Sequence, residues 1–94
     1  MVVGLCTIEL MMGGHRSLKD KRGSLKPLLA WMRREFNVSV AEVGQQDLWQ
    51  SATLGVAAVS TDAAYVSGLF ESLIRGIERE RPDVYVTNWR VEML

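Results

Sequence analysis

Ninety-four residues suffice for one hydrophobic core and exclude a second domain. A hydrophobic fraction of 48% with 2 prolines and 8 glycines excludes a disordered or fibrous chain, and the lone Cys6 excludes an internal disulfide, which suits a reducing cytoplasm. The net charge of zero is uneven: seven of the 11 Lys and Arg residues stand between positions 16 and 34 against one acid, Asp20, leaving +6 there and −6 elsewhere.

In chain order, residues 2–12 (VVGLCTIELMM) are apolar on both phases and too short for a surface helix, so they predict a central strand. Gly13-Gly14 ends it. Ser17 and Asp20 form an S-x-x-D capping box, and Leu18, Leu25, Leu28, Leu29, Met32 and Phe36 follow at helical spacing, predicting a helix over 18–36. Gly23 and Pro27 leave two forms open. Either this helix kinks at Pro27, or a turn at 17–22 gives way to a new helix capped by Ser24, with Pro27 in its tolerant first turn.

Residues 38–46 and 52–60 read as strands joined by a polar connection holding Asp47, Leu48 and Trp49. Asp62 caps a second helix over 62–80, with Ala63, Val66, Leu69, Phe70, Leu73 and Ile77 on its buried side and Arg81-Pro82 as its stop. Residues 84–91 form the last strand. No run approaches the roughly 20 apolar residues of a membrane span, and Met1-Val2-Val3 lacks the basic region of a signal peptide.

The order strand-helix-strand-strand-helix-strand predicts one α+β domain over 1–94. With right-handed crossovers it is a ferredoxin-like β-α-β-β-α-β sandwich: a four-stranded antiparallel sheet in the order 4-1-3-2, with two helices on one face. The opposite face then lies open, and strand one brings Val3, Leu5 and Met11 to it. If Val84 and Val86 face the helices, Tyr85 and Trp89 join that open side. An apolar patch of this kind predicts self-association, most simply as a homodimer.

No constellation dictates a reaction. His15 has no partners at metal-ligand spacing, and Cys6 reads as core. Glu9, Glu42 and Asp47 approach one another near strand ends, without a visible cleft to tune them. Gly13-Gly14-His15-Arg16-Ser17 lacks the spacing of a nucleotide loop. The predicted central strands, 2–12 and 52–60, hold no Phe, Tyr or Trp, so bases would not stack there as on an RNA-recognition domain. No catalytic residue, metal, small-molecule cofactor or membrane partner is expected.

The basic cluster remains. At 100° per residue, Lys19, Arg22, Lys26 and Arg33 fall within about 60° of arc on a continuous helix. Such a stripe reads either as a solvated helix face or as a surface for an anionic partner; in the second reading it fits RNA phosphates, free or in a ribosomal particle, and Arg16 with the helix N-terminus would grip one further phosphate.

Three ordered stretches, Arg16-Ser17-Leu18-Lys19-Asp20-Lys21-Arg22, Phe36-Asn37-Val38-Ser39-Val40-Ala41-Glu42-Val43 and Gln46-Asp47-Leu48-Trp49-Gln50, resemble the YlxP-like family of small bacterial proteins. The resemblance covers nearly the whole chain. It implies a ferredoxin-like fold and a bacterial cytoplasmic protein whose gene often neighbours those of translation-initiation and ribosome-binding factors. The family's function is unknown, so it supplies no catalytic residues, and Gly23 and Pro27 depart from the more regular helix it implies. Three classes follow in order: an RNA- or ribosome-associated binding module using the basic helix, a self-associating structural protein using the open sheet, and, last, a small enzyme.

Overall fold

Strict alternation in the first strand, β1 (Val2–Met12), sets the plan of the molecule. Gly4, Cys6, Ile8, Leu10 and Met12 are buried, while Val3, Leu5, Thr7 and Glu9 are half-buried and Met11 is exposed. One face of the strand therefore carries the core and the other faces solvent. The computed structural model describes residues 1–94. After β1 come α1 (Leu18–Glu35), β2 (Ser39–Gly44), β3 (Ser51–Ser60), α2 (Ala63–Glu80) and β4 (Val84–Met93). Every strand pairing is antiparallel and the sheet order is β2-β3-β1-β4, the expected order read from the other edge.

The core lies between the helices and one sheet face. Cys6, Ile8 and Leu10 of β1 and Ala52, Leu54 and Val56 of β3 meet Leu25, Leu28 and Met32 of α1 and Val66, Phe70, Leu73 and Ile77 of α2. Each large side chain removed from water there contributes about 1.5–3 kcal/mol. Gly4 permits the closest helix approach: a Cβ at that position would overlap Val66 Cγ1 and stand 3.0 Å from Phe70. No helix is long and apolar enough to cross a membrane.

The structure decides between the two forms of the first helix. α1 is one helix from Leu18 to Glu35 with Pro27 inside it. Proline removes the amide that would bond the Gly23 carbonyl. Gly23 and Pro27 are both exposed, and nothing stands within 4 Å of where a Gly23 Cβ would be, so that carbonyl is left to water. Ser24 is not a cap; it is buried, and its Oγ accepts from Arg81 Nη2 at 2.7 Å. Half of the expected capping box forms: the Asp20 amide donates to Ser17 Oγ at 3.1 Å, while the Asp20 carboxylate accepts from the Arg16 amide and not from that of Ser17.

Two expectations are corrected. The second strand stops at Gly44 because Gln45 adopts φ 59, a left-handed turn conformation that ends a ladder. Trp89 does not join the open face with Tyr85. Glu9 pairs with Asn88 and Leu10 with Val86, so Thr87 is an extra residue that resets the alternation. Trp89 then pairs with Ile8 on the helix side, beside Ile74 and Glu78 of α2. The open face retains Leu5, Ala57, Val43, Val59, Met11 and Tyr85, with a shallow depression of about 210 Å³ over Ala41, Gly55 and Ala57.

Candidate nucleic-acid interface

Continuity of α1 places the predicted cations on one ridge. Lys19, Arg22, Lys26 and Arg33 are all exposed, and none forms an ion pair within the chain. At 1.5 Å per residue the ridge runs about 21 Å from Lys19 to Arg33. Arg34 lies outside it and pairs with Glu35 at 3.5 Å. Arg33 is partly engaged: its Nη2 donates to the Val40 carbonyl at 2.8 Å, so the C-terminal end of the ridge leans over the outer edge of β2. Arg16 is exposed beside the helix N-terminus. Its own amide donates to Asp20 Oδ2 at 3.2 Å, so an anion held there would share the first turn with a carboxylate.

Lys21 belongs to the same basic window and has the opposite fate. It is 1% exposed, the one buried lysine of the chain. Its ammonium donates to the carbonyls of Gln45 at 2.7 Å and Leu48 at 2.6 Å. Glu42 Oε2 stands 2.7 Å away as an ion pair. That oxygen accepts no well-angled hydrogen bond and is itself buried, so its compensation is the adjacent positive charge. Glu42 reaches this position because it pairs with Leu54, whose side chain faces the helices.

This latch ties the start of α1 to the β2–β3 connection. It also joins the three stretches that carry the family resemblance: Lys21 comes from the first, Glu42 from the second, and the Leu48 carbonyl from the third. Charge counting alone missed it. The available sign was the helical wheel, which sets Lys21 between Leu28 and Met32 on the apolar stripe.

The remaining candidates do not assemble a catalytic centre. Glu9, paired with Thr53, lies on the open face, whereas Glu42 lies on the helix face, so the two carboxylates are on opposite sides of the sheet. Asp47 is exposed in the connection. His15 Nδ1 donates to the Gly13 carbonyl at 3.0 Å within its own turn. No three His, Cys, Asp or Glu side chains gather closely enough to hold a metal ion. Burial pushes the Cys6 thiol up to about 11, which leaves it protonated and unreactive at neutral pH.

Residues 3–91 match the family model described as a protein of unknown function, DUF503. The chain is 33% identical over 91 residues to the uncharacterized protein YlxP of Bacillus subtilis (strain 168), covering 97% of this chain and 98% of that one. Among solved structures it is similar to the de novo designed protein Foldit4, with a TM-score of 0.55 and 16% identity over 100% of this chain and 97% of the other. At that identity the likeness speaks for the fold alone.

Proposed function

This chain belongs to the DUF503 family of proteins of unknown function, and we propose that it is a bacterial cytoplasmic binding module that docks α1 on the phosphate backbone of RNA. One observation carries the reading: an unbroken helix displays Lys19, Arg22, Lys26 and Arg33 in a row, exposed and without acidic partners. Cations left unpaired along about 21 Å of helix suit a polyanion better than they suit stability, because exposed charges contribute little to folding. The translation-linked gene neighbourhood implied by the family resemblance directs attention to ribosomal RNA.

The mode of binding follows from the chemistry. Phosphate contacts position a protein without reading bases. The middle of the sheet offers Leu5, Thr7, Thr53, Gly55 and Ala57 on its open side, with no aromatic ring for stacking. Sequence preference is therefore weak, and affinity falls steeply with salt. Four phosphate contacts give a slope of log K against log salt of about −3.

The test compares wild type with the triple variant Lys19→Glu, Arg22→Glu, Lys26→Glu in co-sedimentation with ribosomal particles and in anisotropy titrations with RNA across a salt series. Arg33 stays unchanged because it also holds β2. The variant should lose most binding at low salt while its circular dichroism is unaltered. Equal affinity for both proteins, or no binding by wild type, would return the ridge to a solvated surface.

A further inference from the structure

The two edges of the sheet are built differently. β2 is short, with six residues, and is interrupted by Val43, an extra residue between the pairs Glu42–Leu54 and Gly44–Thr53. Its Val40 carbonyl already accepts from Arg33. Bulges, short length and side-chain plugs are the usual means of blocking an edge. A second β2 brought against it would also set two basic ridges against each other. β4 has ten residues and none of this protection beyond Thr87. The Leu94 amide donates inward to the Val3 carbonyl at 2.8 Å. By strand alternation, the amides and carbonyls of Trp89, Val91 and Met93 point outward, away from β1.

We propose that two copies of this chain pair antiparallel along β4, about a two-fold axis at Val91, to form one eight-stranded sheet with all four helices on the same face. The inference is independent of the reading of α1. The outer edge of β4 is self-complementary, as an isologous contact requires. Centring on Val91 places each Trp89 opposite the other copy's Met93 and each Arg90 opposite its Glu92. The outward amides and carbonyls of 89, 91 and 93 then exchange hydrogen bonds across the axis.

Arg90 and Glu92 are exposed on one face, and neither has an ion-pair partner within its own chain. Opposite charges directly across a strand pair attract. Trp89 and Met93 share the helix side, each 37% exposed, and their pairing sets a thioether against an indole. Val91, half-buried beside the core, meets its own copy. The contact is short, below the roughly 1,200 Å² of a standard interface, and sets the expected dissociation constant in the micromolar range.

Disulfide trapping reads the register directly. Opposed residues of a hydrogen-bonded antiparallel pair lie about 5.5 Å apart between Cα atoms, within disulfide reach. The variant Val91→Cys, treated with diamide, should give a covalent dimer. The variant Val59→Cys, on the open face and 62% exposed, should not. Both variants carry Cys6→Ala as well, because Cys6 is the direct cross-strand partner of Val91 and would otherwise close a disulfide within one chain. Sedimentation equilibrium supplies the second arm. Arg90→Glu and Glu92→Arg should each weaken association at least tenfold, and the double variant Arg90→Glu, Glu92→Arg should restore it. A wild-type monomer at high micromolar concentration would overturn the proposal. So would trapping at residue 59 instead of 91, or a double variant no tighter than the singles.

Discussion

Lys21 and Lys19 stand two residues apart on one helix and do opposite things. Lys19 points into solvent without a partner, whereas Lys21 is enclosed, with two carbonyls and a carboxylate around its ammonium. The difference teaches that a basic window overstates the charge on offer. Of the seven cations between residues 16 and 34, Lys21 is neutralised by Glu42 and Arg34 by Glu35, while Arg33 holds a strand edge. What remains for a partner is Arg16, beside the helix N-terminus, with Lys19, Arg22 and Lys26 in the N-terminal half of α1.

Substitutions along the helix sharpen this contrast, beginning with the largest effect. Lys21→Ala leaves the buried Oε2 of the half-buried Glu42 and two carbonyls without their cation, and unfolding in urea should show a loss of about 3–5 kcal/mol. Glu42→Gln keeps the ammonium on its two carbonyls and removes only the charge beside it. The same measurement should read a loss of about 1–3 kcal/mol. Arg33→Met removes one hydrogen bond at the β2 edge, for about 0.5–1.5 kcal/mol, and lowers RNA affinity modestly. Replacing Lys19, Arg22 and Lys26 together by Gln should move stability by less than about 0.5 kcal/mol per site while weakening RNA binding most. If the order of stability effects were reversed, the division between latch and ridge would be wrong.

Much of the architecture was legible before the structure, because its punctuation is chemical. Ser17 with Asp20, and Asp62, mark helix starts by offering oxygens to free amides; Gly13-Gly14 and Arg81-Pro82 mark stops. The path through Gly23 and Pro27 was not legible, since the outcome depended on which side of α1 faced water. Trp89 was misplaced for a related reason. Nothing in the sequence around Thr87 announces an extra residue, and one unmarked residue reverses every side chain after it. At the candidate site, the wheel found the ridge. Lys21 escaped because its buried acceptors lie 21 to 27 residues away in sequence, at Glu42, Gln45 and Leu48.

The buried thiol on β1 also gives this molecule an internal clock. Cys6 is 1% exposed on an inner strand, paired on one side with Val56 and on the other with Val91. A thiol reagent reaches it only when that part of the sheet opens, so the labelling rate measures the opening equilibrium without any added probe. The same burial couples the fold to alkali. Below the ordinary pKa of 9.0 both folded and unfolded thiols are protonated, and Cys6 adds no pH dependence. Between 9.0 and about 11 the unfolded chain releases a proton that the folded chain retains. Stability therefore falls as pH rises through that window, by about 1.4 kcal/mol per pH unit. Cys6→Ala should flatten this slope, and the wild-type thiol should label fastest at the alkaline end.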